Sequence, residues 1–508
     1  MVDAREYHER TNQTPGGRSS GHQRQERNRP RPFKSYESLE VYPLPEIDPP
    51  EIPALEAIAT SRAEPPHSST GIDLTDIATI CYLAGGITQE TTYQGEQVRF
   101  RAASCTGNLH HIELYLVIGD VDGIDPGVYH FDPTKFSLGR LRADDHRGVL
   151  CEATDNGNED APVTVVLTST WWCNAWKYGD RTYRHAFWDG GTVIANLLAA
   201  AHGSGHRTDV VSAFVDDRVA ELIGIAPIEE APIALVNLGD DDSIPDPIEI
   251  ETIDPATAPI SPNPKRHPLI VDAWRQSRIE RPDEVAAFRS RCQQIGSIMA
   301  TQSESEDRVE LDPVDEATAS KRPLLQTIER RGSKRQFDDQ GPTRRQLGTI
   351  LNRATRGVPA DWCDGEADGF QFLTAHVLVT GVSGVPDGRY RYDTTSDTLE
   401  RLGDTDSSVQ ERLALNQPWA GEAHVNVYLM ADVDTIVSRF GNRGYRLAQL
   451  EAGIVLGRLY LATAAHRTLG GTGLTFFDEM VSNHLTPASN QWLPMTMFAF
   501  GRVGRRND

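Results

Sequence analysis

A chain of 508 residues exceeds what one hydrophobic core ordinarily organises, so two or more domains are expected, and a hydrophobic fraction of 38% suffices to build them. Its 73 acidic against 50 basic residues leave a formal charge of −23, which argues against non-specific binding to nucleic acid or anionic membrane. No run reaches the roughly 18 apolar residues of a membrane span, and MVDAREYHERTNQTPGG lacks the apolar core of a secretory signal, so the chain reads as cytoplasmic.

Lysine occurs only at Lys34, Lys135, Lys177, Lys265, Lys321 and Lys334, and such an acid-rich, lysine-poor surface suits a high-salt cytoplasm. The cysteines (Cys81, Cys105, Cys151, Cys173, Cys292, Cys363) form no CxxC pair, which speaks against a zinc knuckle or disulfide scaffold and for free thiols.

Residues 1–45 are polar, rich in Arg and Pro, and without a period of 2 or 3.6; they read as a mobile arm able to order against a domain. In 46–255 a helix is predicted after the cap Asp73. A small-residue loop then leads into the strand of RAASCTGNLHHIELYLVIG, followed by a turn and strand at GIDPGVYHFD. KYGDRTYRHAFWDGGTVIANLLAAA reads as a long buried helix and APIALVNLG as a closing strand. Residues 256–318, with APISPNPKRHP and an acidic stretch around a short helix near 283–300, read as a linker.

Residues 319–508 repeat the pattern. Thr343 and Gln346 form a capping-box signature displaced by 270 residues from Asp73. GVPDGRYRYD matches GIDPGVYHFD at a displacement of 261, and RFGNRGYRLAQLEAGIVLGRLYLATAA matches the long helix at 262. Three ordered matches at nearly constant displacement predict a tandem α+β duplication whose copies pack about a pseudo-twofold axis, with Ala195, Ala199, Gly453 and Gly457 letting the long helices approach closely.

In TIERRGSKRQF, Arg331, Ser333 and Arg335 surround the end of a short helix and the turn after it, a composition able to cradle phosphate through charge-assisted forks. The corresponding Ser61, Ala63 and Pro65 cannot. The Ser104–Asn108 loop of the first copy likewise has no equivalent in WCDGEADGFQFLT, so each copy has lost what the other keeps.

RRGSKRQF resembles the opening phosphate motif of the nitroreductase superfamily. RAASCTGNLHHIE, GVYHFDP, WKYGDRTYRHA and the early YHERT resemble its SagB-type (thiazole/oxazole dehydrogenase) branch. The resemblance implies a nitroreductase-like fold, here as an intramolecular pseudo-dimer, with FMN at the interface of the copies. It implies phosphate contacts from Arg331, Ser333 and Arg335 with Arg502 or Arg505, and first-copy contacts from Cys105, Thr106 and Asn108. Backbone N–H groups at Thr475 and Phe476, within LGGTGLTFFDE, would face flavin N5. The glycines of that segment follow a helix rather than a strand, against a Rossmann reading.

Lys177 and Tyr178 resemble a catalytic Lys-Tyr pair of azoline-oxidising members; a plain surface or interface role is the other reading, and which of two sites they reach is open. Trp171, Trp172, Trp176 and Trp188 are core packing or a substrate wall. His110 and His111 could act as acid or base, but without further ligands at metal spacing no metal is expected. The expected function is hydride transfer at N5 with a small-molecule or peptide substrate and NAD(P)H as a candidate donor, in a monomeric pseudo-dimer or higher oligomer. The alternative is an inactive flavin-binding scaffold partnering a modifying enzyme.

Overall fold

The computed structural model describes residues 2–16, 25–58, 71–93, 95–157, 161–240, 243–293, 307–315, 319–363, 369–487 and 491–504. The first half runs α1 (Ala4–Arg10), β1 (Glu40–Pro43), α2 (Ala54–Ala57), α3 (Leu74–Gly85), and a hairpin of β2 (Ile87–Tyr93) and β3 (Glu96–Arg101). Then come β4 (Ile112–Ile118), β5 (Gly127–Asp132), β6 (Ser137–Ala143), α4 (Arg147–Ala153) and β7 (Val163–Thr170). It closes with α5 (Trp171–Tyr178), α6 (Thr182–Gly203), β8 (Thr208–Val211), α7 (Asp216–Ile223) and β9 (Glu230–Leu238).

The second half repeats this order: α8 (Pro268–Ser277), α9 (Pro282–Gln293), β10 (Arg308–Glu310), α10 (Leu324–Arg330) and α11 (Arg344–Ala354). β11 (Thr374–Val379), β12 (Gly388–Asp393), β13 (Thr398–Gly403), α12 (Ser407–Leu413), α13 (Pro418–Glu422) and β14 (Val425–Asp432) follow. The last elements are α14 (Val433–Ala465), β15 (Leu469–Gly473), α15 (Asp478–Leu485) and β16 (Trp492–Arg502).

Each half builds a seven-stranded sheet, in the orders β1-β6-β5-β4-β7-β9-β8 and β10-β13-β12-β11-β14-β16-β15, the same topology twice. This is the tandem α+β duplication that the repeated sequence pattern predicts. The predicted capping signatures are present as full capping boxes at Asp73 with Asp76 and at Thr343 with Gln346. No helix of the described residues is long and apolar enough to cross a membrane.

Two expectations change. The segment read as an arm orders: Tyr7 and His8 of α1 are fully buried, and β1 extends the first sheet against β6. The segment read as a linker forms α8, α9 and β10, and α8 and β10 occupy in the second half the places of α1 and β1. α1, β1 and β10 are too short to show a hydrophobic period, whereas α8 is held by a buried apolar face of Leu269, Ile270, Val271, Ala273 and Trp274. Ser277 of α8 bonds Tyr183 just as His8 of α1 bonds Tyr445.

α6 packs on β4, β7 and β9, α14 packs on β14, β15 and β16, and the two helices pack on each other, giving layers of sheet, helix pair and sheet. They touch backbone to backbone: a Cβ on Gly191 would lie 2.4 Å from the Gly453 carbonyl carbon, and one on Gly453 2.4 Å from the Phe187 carbonyl oxygen. Gly457 meets Ala195 as expected. Around this crossing each half buries an ion cluster contributed by the other. Arg181 and Arg184 reach Asp478 at 3.0 and 2.6 Å, and Arg443 and Arg446 reach Asp216 at 2.6 and 2.5 Å. Both aspartates open a helix, α15 and α7, whose N-terminal dipole favours their charge.

Candidate functional site

β3 delivers the chain to a loop, Ala102–His111, that carries Gly107, Asn108 and His110 at φ of 69°, 57° and 47°, the left-handed region. Glycine and asparagine enter this region at low cost; His110 is held there by Arg99, whose carbonyl takes both the Asn108 amide and the His110 ring, each at 3.0 Å. Phe33 stacks on His110 at 5.0 Å. Burial, reinforced by the Arg101 guanidinium, pushes the His110 ring down to about 3, so it stays neutral near pH 7 and is no ready acid there.

Beneath the loop lies Asp189 of α6. It accepts from the Thr106 N–H at 2.9 Å and hydroxyl at 2.7 Å, and from the Cys105 thiol at 3.4 Å. His111 bonds Asp189 at 2.8 Å through Nε2 and Ser169 at 2.9 Å through Nδ1. Ser169 is fully buried in β7, so the Ser-His-Asp array has no exposed nucleophile.

Onto this first-half loop the second half lays its cationic segment. Arg331, just past α10, donates to the Ala102 carbonyl at 3.1 Å and to those of Arg101 and Ala103 at 2.9 and 3.4 Å. Its guanidinium also lies 5.6 Å over the ring of Tyr460, whose hydroxyl accepts the Gly473 N–H at 2.7 Å. Ser333 is exposed, as is Arg335, which stacks on Trp419 at 5.1 Å. Among the described residues neither Arg331 nor Arg335 has a carboxylate partner.

Gly473 ends β15, so the glycines of LGGTG form a strand and only Leu474–Phe477 are loop. There the Leu474 N–H bonds Met497 and the Phe477 N–H bonds Leu413, whereas among the described residues no acceptor takes the N–H of Thr475 or Phe476. The Phe476 ring is buried 6.4 Å from Trp188, the neighbour of Asp189. Arg331, the Thr475–Phe476 backbone and the Cys105–Asn108 loop are thus brought together around the first half of α6. Arg502 is not joined to them; its guanidinium bonds Gln340 at 3.4 Å. Arg505 lies outside the described residues, as do Ser61, Ala63 and Pro65.

Lys177 and Tyr178 end α5 directly over Gly107, where an added Cβ would stand 2.6 Å from the Tyr178 hydroxyl and 3.1 Å from Lys177 Nζ. The ammonium lies 5.1 Å over the tyrosine ring, which sits edge-on to His185 at 4.8 Å. Trp172 and Trp176 form a small buried cluster with Leu109 behind this pair, their indole N–H groups bonded to Ser261 and the Gln25 carbonyl, so they pack rather than line an open wall.

The pseudo-symmetric place is lined by different residues. Glu451 stands for Asp189 and Phe440 for Tyr178 at the same displacement of 262. Phe440 is packed by Phe372 and by Phe288 of α9, an element with no counterpart among the described residues of the first half. The Asp361 carboxylate accepts from the Ser212 N–H and hydroxyl and, at 2.8 Å, from the Ala213 N–H. Ala213 corresponds to Thr475, so the donor left open in one site is satisfied internally in the other.

Sequence reasoning passed over Asp189. The signal was present, an acid at the same place in both matched helices, Asp189 and Glu451, but only the contacts show what it holds. Cys105, His111 and Asp189 also place one ligand-type atom each within 4.8 Å of one another, a cluster that the residue spacing hid.

The family model "Nitroreductase family" matches residues 70–240 and 328–502. A provisionally named nitroreductase of Methanocaldococcus jannaschii is 26% identical over 198 residues, 39% of this chain and 94% of its own. The crystal structure of another provisionally named nitroreductase, from Anabaena variabilis, superposes with a TM-score of 0.75 at 22% identity, covering 99% of this chain and 100% of that one. An E. coli microcin synthetase complex matches 36% of this chain and 71% of that one with a TM-score of 0.31 and 20% identity.

Proposed function

The chain belongs to the nitroreductase family, and on that premise we propose that it is an FMN-dependent oxidoreductase with one flavin site shared between its halves. The observation that carries this reading is the direct bonding of the second half's Arg331 to the first half's Ala102 and Arg101, which sets the cationic segment beside the small-residue loop. The residues fit the group: two guanidiniums without acids suit a phosphate, and the unpaired N–H groups of Thr475 and Phe476 suit acceptors on a flavin edge.

When bound, FMN supplies two-electron hydride chemistry at N5. In this reading Arg331, Ser333 and Arg335 hold the phosphate end, and Cys105, Thr106 and Asn108 form the opposite rim. The backbone N–H groups of Thr475 and Phe476 would offer donors to the ring edge without side-chain rearrangement. Tyr178, with the Lys177 ammonium over its ring, would take or return the substrate proton at its hydroxyl.

The WKYGDRTYRHA resemblance supports a SagB-type dehydrogenase over a simple nitro-compound reductase, with a small molecule or peptide as substrate. Purified protein should be yellow with about one FMN per chain, and Arg331→Ala with Arg335→Ala should be colourless. About two FMN per chain overturns the shared single site. A flavin that binds yet is reduced by neither NAD(P)H nor substrate favours the scaffold reading instead.

A further inference from the structure

The loop that this reading places against the flavin is not self-supporting. Three of its residues sit at positive φ, and although Gly86, Thr170 and Thr192 hold its backbone at Ala102, His111 and Ser104, the side chains of Cys105, Thr106 and His111 converge on one carboxylate. We propose that Asp189 is the positioning residue of the site: an anion on α6 that fixes Cys105 and Thr106 with both oxygens and sets the electrostatic field behind the flavin rim. The proposal rests on the FMN reading for what the loop faces, but not for the anchoring itself.

Asp189 Oδ1 takes the Thr106 hydroxyl, while Oδ2 takes the Thr106 N–H, the Cys105 thiol and His111 Nε2. His111 is in turn oriented by Ser169. Glu451 at the matching place holds the N–H groups of Gln371 and Phe372 at 2.8 and 2.9 Å with no histidine beside it, so gripping the loop is common to both copies. The histidine and the bonded thiol belong to the open site alone.

A metal would use the same three residues, but the geometry favours hydrogen bonds. Ligands around tetrahedral zinc at about 2.0–2.3 Å stand roughly 3.3 Å or more apart, whereas His111 Nε2 and Asp189 Oδ2 are 2.8 Å apart. The Thr106 N–H and hydroxyl also point at the carboxylate that the ion would need.

A fixed carboxylate behind the rim opposes negative charge gained on reduction and so lowers the flavin midpoint potential. It also acts on Cys105, whose thiol is pushed up by burial and by Asp189.

The test is Asp189→Asn, read in two ways. In the flavin-free protein, iodoacetamide labelling of Cys105 at pH 8, followed by peptide mapping, should accelerate about tenfold as the thiolate gains population. In the loaded protein, FMN should dissociate about tenfold faster, and its midpoint potential should move to more positive values. A purely structural residue would not move the potential. Thr106→Val keeps the charge and loses one donor, so it should speed FMN loss without moving the potential, and it serves if Asp189→Asn does not fold. A folded Asp189→Asn protein with unchanged Cys105 labelling and unchanged potential overturns the proposal. So does stoichiometric zinc in the wild type that the substitution removes. If wild-type protein takes up no FMN, the flavin reading fails, while the labelling comparison still decides the anchor.

Discussion

At the scale of single residues, buried ionisable groups differ in what answers them. Asp478 is about 1% exposed and meets two guanidiniums, so Asp478→Asn leaves Arg181 and Arg184 unneutralised and should cost about 3–5 kcal/mol, read from urea midpoints. Glu451 lacks such an answer: burial pushes its carboxyl up to about 7, against the opposing hydrogen bonds from Gln371 and Phe372. Between the ordinary glutamate value and about 7 the folded protein keeps a proton that the unfolded chain has released, so stability falls as pH rises through that window. The loss is at most about 3 kcal/mol. Glu451→Gln should flatten this part of the stability profile; an unchanged slope between about pH 5 and 7 assigns it to another group. The candidate site was legible where its chemistry is local, as in RRGSKRQF or the Cys105–Asn108 stretch. Asp189 was not, because its partners Thr106 and His111 are 83 and 78 residues away. That Lys177 and Tyr178 stand over Gly107 was likewise not legible, because the contact joins residues about 70 positions apart.

At the scale of elements, the closest contact is the crossing of α6 and α14. Replacing Gly453 by leucine would drive a side chain into the backbone of Phe187 and Trp188, where no rotamer change relieves it, and should destabilise by about 3 kcal/mol or more while separating the halves. A melting temperature within about 2 °C of wild type would count against this packing. The two long helices and β5 and β12 were readable from periodicity and repetition. Much of each seven-stranded sheet was not, since β8 and β15 are short and β1 and β10 are held by edge pairing rather than by a buried apolar face. α9 was foreseen as a helix near 283–300, of which 294–300 lie outside the described residues, but not as the filler of the second site. Phe288→Ala should therefore cost about 3–5 kcal/mol, seen in thermal melts, yet leave flavin content unchanged; lost flavin would mean that α9 serves the open site.

At the scale of the whole molecule, duplication permits what a twofold dimer cannot. Identical subunits must keep every motif in both sites or lose it from both, whereas here the Ala213 N–H is taken by Asp361 and Phe440 is packed by Phe288 at one of the two pseudo-symmetric places. FMN titration should accordingly saturate once per chain, with no weaker second phase. The same architecture leaves α1 in an odd position in time. Besides Asp180, Tyr183 and Arg184 of the first half, its partners are Asn442, Tyr445 and, through Gln13, Asp478, as many as 465 residues further on. At roughly 5–20 residues per second on the ribosome, tens of seconds separate the synthesis of α1 from that of the second-half side of its seat. The nascent chain must therefore hold α1 against an incomplete seat, and docking of the second half completes it late in biogenesis.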